Sequence, residues 1–367
     1  MRRDPLLAVL LVSAPLLVWW APVPVAALPG LVHWQTLGAL AGLMMLSKAL
    51  EVSGILDSAG RALLRHVRGE RRLVAALVLF SAALSAVITN DIALFVVVPL
   101  TLALRASAVQ LPVGRMVVFL ALAVNAGSSV SPLGNPQNLF LWQHHELSAL
   151  AFFRGMLPLS ALLMALLLLL IPFAFPARAI QVRAVSQVGP PAHPAARPLL
   201  YFGAIAYVPF LLLADAGMAL PAALLVALLA AWIHRPLLRQ IDVALLLVFL
   251  LMFVNTGLLA RLPWLVAGFS GLDQGGPVML AGVALSQAIS NVPAALFLTP
   301  FTDDWRALAW GVSVGGFGLA IGSLANLIAL RLARQPGLLG DFHRWSLTLL
   351  ALSVPLAWLL LAWTGPV

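Results

Sequence analysis

Two stretches of this chain, 201 positions apart, interrupt an apolar run in the same way. The first reads Ile88-Thr89-Asn90-Asp91-Ile92-Ala93 and the second Ile289-Ser290-Asn291-Val292-Pro293-Ala294. Nine residues after each asparagine stands a proline, Pro99 in one stretch and Pro300 in the other. A second break follows each: Gly134-Asn135-Pro136-Gln137-Asn138-Leu139 in the first half, Gly322-Ser323-Leu324-Ala325-Asn326-Leu327 in the second. Carboxamides and hydroxyls are costly in hydrocarbon unless they have a duty there. Paired breaks at corresponding positions of two halves are the pattern that marks the substrate site of a secondary transporter.

The sequence between the breaks fixes the solvent. It is 62% hydrophobic and 9% charged, with a mean hydropathy of +1.05, which excludes a soluble domain. Runs of about 20 apolar residues recur, long enough to cross a bilayer as helices. The alternation of an outer-membrane barrel is absent, so the spans are helical. With no cysteine there is no disulfide, thiolate nucleophile or thiolate metal site. The net charge of +9 invites a nucleic-acid reading, but the arginines fall at the ends of apolar segments, where they set topology, and no nucleic-acid partner is expected. Arg2 and Arg3 ahead of Leu6 to Trp20 resemble a signal peptide. The apolar sequence runs on into the next span almost without a polar break, as in a retained first helix.

We read nine spans, near residues 6–28, 31–50, 116–142, 155–175, 199–214, 219–233, 243–260, 307–330 and 344–364. Residues 73–104 are too long for one span and too short for two. Arg71 and Arg72 precede them and Arg105 follows, so both ends face the cytoplasm and the segment is a re-entrant hairpin. Residues 277–302 are its counterpart, with Asp273 before and Asp303 and Asp304 after, entering from outside. With the N-terminus cytoplasmic, 17 of the 20 arginines lie inside and only Arg154, Arg261 and Arg306 outside, as the positive-inside rule requires. The densest group is Arg61, Arg65, Arg68, Arg71 and Arg72. The expected fold is thus an all-α polytopic membrane protein of two inverted-topology repeats, each with a re-entrant helical hairpin and a broken transmembrane helix. Residues 1–175 form the first repeat, with its broken helix at 116–142. A proline-bearing cytoplasmic linker, 176–198 (Pro190, Pro191, Pro194), leads to the second repeat, 199–367, which contains an extra span at 199–214 and a broken helix at 307–330. An odd number of spans puts the C-terminus in the periplasm.

Backbone at a hairpin tip near the midplane must be covered by protein or line a wet cavity. Asn90 or Asp91 is placed to cap a helix beginning at Ile92, Asn291 one beginning near Pro293, and Asn135 one beginning at Pro136, with Ser323 in the matching place. Four helix N-termini then converge, which suits an anion. Freed carbonyls and side-chain oxygens suit a small cation beside it, and Na+ near Asn90, Asp91 and Asn135 is the expected form, with Na+ or H+ as coupling ion and no other cofactor. The plainer account makes these residues packing glue between helices. Four breaks matched in pairs and in order favour a binding site.

These segments, "TND…VVP", "GNPQNLF", "SQAISNVPAAL" and "VGGFGLAIGSLANLIALR", resemble the ion transporter superfamily of divalent-anion/sodium symporters, citrate carriers, arsenite permeases and sodium/proton antiporters, and within it the YbiR-type inner-membrane proteins. The resemblance covers nearly the whole chain. It implies a scaffold domain, a transport domain carrying both hairpins, elevator-type alternating access and a homodimer in the bacterial inner membrane. It also implies two half-sites: Thr89, Asn90 and Asp91 with Gly134, Asn135, Pro136 and Asn138; and Ser290, Asn291 and Val292 with Gly322, Ser323 and Asn326. The tips depart from the Ser-Asn-Thr of sodium-coupled dicarboxylate carriers, whereas arsenite permeases share Asn-Asp at the first tip. That departure favours one proton- or cation-responsive site at Asp91.

Lys48 with Glu51 reads as a helical ion pair snorkelling to the interface. His144 and His145, beside Glu146, read as interfacial, since no third spaced metal ligand follows. Asn255 and Thr256 read as helix glue, and Gly315, Gly316 and Gly318 as close-approach positions. Ser128, Ser129 and Ser131 stand equally as cavity lining or as support. Phosphate loops and nucleophile elbows are absent, so neither an ATP-driven pump nor an enzyme is expected. The expected function is cation- or proton-coupled transport of a small inorganic oxyanion or carboxylate; the alternative is proton-coupled efflux of an arsenite-like metalloid or of sodium.

Overall fold

Long leucine- and alanine-rich runs, cut by proline, glycine and asparagine, become helices separated by short breaks. The computed structural model describes residues 5–21, 23–64, 67–107, 111–179, 196–269, 271–272 and 274–365. The chain opens with α1 (Pro5–Trp20), a 3-10 stretch (Val25–Leu31), α2 (Trp34–Val52) and the short amphipathic α3 (Ile55–Leu64). Next come the first hairpin, α4 (Glu70–Val87) and α5 (Asn90–Ser107), and the broken pair α6 (Val113–Ser128) and α7 (Pro136–His144). The long α8 (Ala149–Ala174) ends the first half. The second half runs through α9 (Ala196–Asp215), α10 (Ala219–His234), α11 (Val243–Leu259) and the short α12 (Pro263–Phe269). It continues with the hairpin α13 (Gly276–Ile289) and α14 (Asn291–Leu298) and the broken pair α15 (Trp305–Val314) and α16 (Leu324–Ala333), and closes on α17 (Leu338–Thr364).

The two upstream arms of the broken pairs are the pillars of the core. In α6 every residue except Arg115 is buried, and in α15 every residue is. The α6 pillar is packed by α4, α5, α8, α16 and α17; α15 is packed by α13, α14, α8 and α17. Glycine makes the closest crossings. A Cβ on Gly127 would lie 2.3 Å from the Ala82 carbonyl oxygen, and one on Gly311 would lie 2.3 Å from that of Met279. The α4–α6 and α13–α15 crossings therefore bring backbone against backbone in the same way. Apart from these, α2 packs on α9 and α10, and α1 on α11.

Polar contacts fix which ends lie together. Arg115, in the first turn of α6, bonds Asp341 in the first turn of α17 at 3.0 Å and the Ala174 carbonyl at the end of α8 at 2.9 Å. Arg71 at the start of α4 donates to the Phe175 carbonyl there. At the other end of α17, Arg306 of α15 donates to the Gly365 carbonyl, and Asp304, which caps α15, accepts from Gly275 N at the start of α13. Hairpins α4–α5 and α13–α14 thus begin at opposite ends of α17.

Among the described residues, the interruptions between α4 and α5, α6 and α7, α13 and α14, and α15 and α16 fall inside the four segments that the sequence reading singles out. The helices α3 and α12 were not anticipated. Four helical stretches among the described residues are each long and apolar enough to cross a membrane, or six when two bent pairs are counted, so the structure does not itself deliver nine spans. Arg65, Asp273 and the linker prolines Pro190, Pro191 and Pro194 lie outside the described residues.

Candidate functional site

At the first break, Asn135 does what its type and position dictate. Its Oδ1 accepts from Asn138 N at 3.0 Å and caps α7, with Pro136 at the first helical position. Its Nδ2 donates to Ser128 Oγ at 3.2 Å. Asn138 Nδ2 reaches the carbonyls of Ser128, Ser129 and Ser131 at 3.3, 3.0 and 3.1 Å, holding the unwound chain. Gly134 is needed because a Cβ there would lie 2.4 Å from the Ser128 carbonyl oxygen. Its own carbonyl accepts from Asn90 N at 2.9 Å, joining the hairpin tip to the break. Ser128 and Ser129 are fully buried and bonded to Asn125 O and Ala126 O, and Ser131 donates to Ala86 O, so these serines brace the break.

The second break is tied directly to the first. Asn125, near the end of α6, donates to Asn326 Oδ1 at 2.8 Å and accepts from Ser323 Oγ at 2.9 Å. Asn326 Nδ2 goes on to the Gly316 carbonyl at 2.9 Å. Asn291 Nδ2 and Asn125 Cγ stand 3.4 and 3.7 Å from where a Cβ on Gly316 would be, so the second hairpin tip meets the same point. Gln287 of α13 donates to Gly315 O and Phe317 O and accepts from Leu319 N, clamping the loop. A buried polar chain therefore runs from Asn90 through Gly134, Asn135, Ser128, Asn125 and Asn326 to Gly316, with Asn291 against it.

Two capping expectations are corrected. The helices of both hairpins begin at Asn90 and Asn291 themselves, not at Ile92 and Pro293, so Thr89 and Ser290 precede them. Neither Ser290 nor Ser323 caps with its side chain, and Ser323 spends its hydroxyl on Asn125. Ser290 has φ +75° and ψ 156°, a region that L-residues avoid, so the second tip is strained. Val292 is an apolar, buried neighbour of Asn291 and brings no polar group. Of the glycines, Gly318 needs its positive φ of 95° and Gly315 abuts Ser286, while a Cβ on Gly322 would lie 2.6 Å from the Gly315 carbonyl oxygen.

Three buried oxygens at the breaks have no hydrogen-bond partner among the described residues: Asn90 Oδ1, Asn138 Oδ1 and Ser313 Oγ. Uncompensated oxygens of this kind suit a small hard cation, whose ligands are oxygens. Asn90 fits the expected sodium-ligand set; Asn135 fits less well, because its oxygen is already the cap of α7.

Asp91 forms no capping bond. It faces a cavity of about 350 Å³ with Thr89, Lys48, Glu51, Asp242 and Arg331 in its lining. Lys48 makes the expected ion pair with Glu51, at 2.9 Å, but the pair lines the Asp91 cavity and does not merely reach for the interface. Asn255 bridges α1 and α11, accepting from Ser13 and donating to Leu10 O, which is the glue role. Thr256 lines a second cavity with His33 and His144, whose rings lie 6.0 Å apart. Beyond the end of α7, burial and the adjacent His144 push His145 down to about 4, against the pull of Asp303 and Asp304.

Asn125 and Gln287 escaped the sequence reading. Asn125 had a signal: it stands ten residues before Asn135, just as Ser313 stands ten before Ser323.

Residues 3–315 match the family model described as citrate transporter. The chain belongs to the citrate transporter family. It is 39% identical over 349 residues to the inner membrane protein YbiR of Escherichia coli (strain K12), covering 94% of this chain and 92% of that one. An uncharacterized transporter of Methanocaldococcus jannaschii is 29% identical over 85% of this chain and 84% of its own length. A silicon efflux transporter of rice (Oryza sativa subsp. japonica) is 34% identical over 33% of this chain and 25% of its own. In fold, the chain is similar to the crystal structure of the YdaH transporter of Alcanivorax borkumensis, with TM-score 0.58, 18% identity, and coverage of 93% of this chain and 88% of that one. The protein is a multi-pass inner-membrane transporter of the all-helical kind and not an enzyme.

Proposed function

We propose that the chain is a secondary active transporter that moves a small inorganic oxyanion or carboxylate by an elevator-type mechanism coupled to Na+ or H+. One observation carries this: the buried polar chain that links the first hairpin tip and break to the second, beside a cavity that exposes Asp91. Thr89, Asn90, Asp91, Gly134, Asn135, Pro136 and Asn138 form one half-site. Ser290, Asn291, Val292, Gly322, Ser323 and Asn326 form the other, and Asn125 joins them. Inverted repeats, with hairpins entering from opposite faces, are supported by the opposite ends of α17 at which α4 and α13 begin. The linings of Lys48, Asp242 and Arg331 come from segment ends that the charge pattern assigns to the cytoplasm, so the Asp91 cavity is the inward vestibule. A bound Na+ would take oxygens from Asn90, Asn138 and Ser313 and supply positive charge for an anion beside it. A homodimer belongs to this reading on family resemblance.

Proton-coupled efflux of an arsenite- or silicon-like solute is the second reading. It is favoured by Asp91 at the first tip, where the second tip has Val292, and by the partial match to a silicon efflux transporter. Uptake and efflux in proteoliposomes under an imposed sodium or proton gradient, with small anions and arsenite as solutes, test the proposal. Gradient-driven movement of an anion supports the first reading and that of a neutral metalloid acid the second. Solute movement that ignores both gradients contradicts both.

A further inference from the structure

The start of α4 carries a second basic feature that transport does not use. A cavity of about 350 Å³ at that end is lined by Arg68, Gly69, Glu70, Arg71, Arg72 and Ala177 to Ala179, including Arg178. Arg71 is engaged: its guanidinium donates to Phe175 O at 2.8 Å and Pro172 O at 2.9 Å, fastening α4 to the end of α8. A bridge between Gly69 and Ala179, with Glu70 N donating to Arg178 O at 3.0 Å, holds the two walls in place. Arg68, Arg72 and Arg178 are exposed, and among the described residues none of their guanidinium groups has a hydrogen bond or salt bridge. Gly69 supplies no side-chain cap, and the first amide of α4, that of Glu70, is taken by the Arg178 carbonyl, which leaves the guanidinium groups as the free donors of the pocket.

Little nearby neutralises this charge. The one acid in the lining, Glu70, is buried, and that burial pushes its carboxyl up against the pull of Arg178 and Arg115. Beside the pocket the surface turns apolar at once. Phe173 is 77% exposed and Leu169 61%, on the last turns of α8. A basic pocket bordered by exposed apolar side chains at the end of a membrane helix matches a phospholipid, with phosphate in the pocket and acyl chains along α8.

We propose that Arg68, Arg72 and Arg178 bind the phosphate headgroup of an anionic phospholipid at the cytoplasmic face. The site is separate from the transport path, so its test stands apart from the gradient assay. The test is the thermal stability of the delipidated full chain in detergent, titrated with cardiolipin, phosphatidylglycerol, phosphatidylcholine or inorganic phosphate. Cardiolipin and phosphatidylglycerol should raise the midpoint by several degrees, phosphatidylcholine and inorganic phosphate by much less. The exposed double variant Arg68→Gln/Arg72→Gln should keep the lipid-free midpoint of the parent and bind the anionic lipids on the order of tenfold more weakly. Equal stabilisation by phosphatidylcholine, or an undiminished anionic-lipid response in the double variant, would overturn the proposal. A full response to inorganic phosphate alone would overturn it too, in favour of a free-anion site. If the double variant loses stability without lipid, Arg178→Gln provides the same comparison with α4 unaltered.

Discussion

Asn125 is a single carboxamide in an otherwise apolar pillar, yet both its polar atoms cross to the other half of the molecule. Replacing it by Ala leaves Asn326 Oδ1 and Ser323 Oγ buried without those partners. We expect Asn125→Ala to lower unfolding stability by about 1–3 kcal/mol and to abolish transport, whereas Leu50→Ala, on α2 away from the break, should not abolish it. Asp91 is the opposite case, a polar group that its own helix does not use. Its carboxylate faces the cavity and forms no cap, so an Asn in its place keeps the fold. Asp91→Asn should insert normally and lose gradient-driven transport while keeping passive exchange. Wild-type rates with unchanged pH and sodium dependence in proteoliposomes would move coupling away from Asp91.

At the scale of elements, the repeated device is a hairpin crossing a pillar through glycine. Gly127 meets Ala82 and Gly311 meets Met279, with backbone where a methyl group would have to go. Gly127→Ala and Gly311→Ala should each cost about 1–3 kcal/mol by overpacking, measured as a lowered midpoint in detergent, whereas Gly340→Ala, which has open space, should be nearly neutral. The hairpins and broken helices were legible because prolines, asparagines and glycines punctuate apolar runs at matched spacings. Asn135 was legible as a cap because cap and proline are adjacent in sequence. The roles of Ser290 and Ser323 were not, because a side chain's partner depends on what tertiary packing brings to it: Ser323 found Asn125, 198 residues away. Lys48 was legible as half of a local ion pair and illegible as cavity lining for the same reason.

The whole molecule is two halves whose hairpins begin at opposite ends of the same long helix, α17, with one polar chain tying the first tip to both breaks and the second tip, at Asn291, lying against it. With the arginine distribution, the proposed topology puts the N-terminus and the arginines from Arg61 to Arg72 in the cytoplasm and the C-terminus in the periplasm. A C-terminal reporter active only in the cytoplasm would refute the count of nine spans. In the proposed transport cycle, the two breaks are reached alternately from the two sides of the membrane. The chain contains no cysteine, so one thiol can be introduced without background. Ile328, on α16, lines the Asp91 cavity and takes no part in the polar chain. The measurement is labelling of Ile328→Cys in oriented proteoliposomes by a membrane-impermeant thiol reagent added to either side, with and without solute and an ion gradient. We expect labelling from the cytoplasmic side at rest and a fraction labelled from the outer side that changes with solute and gradient. Labelling from the cytoplasmic side alone, whatever the solute and gradient, would contradict the account.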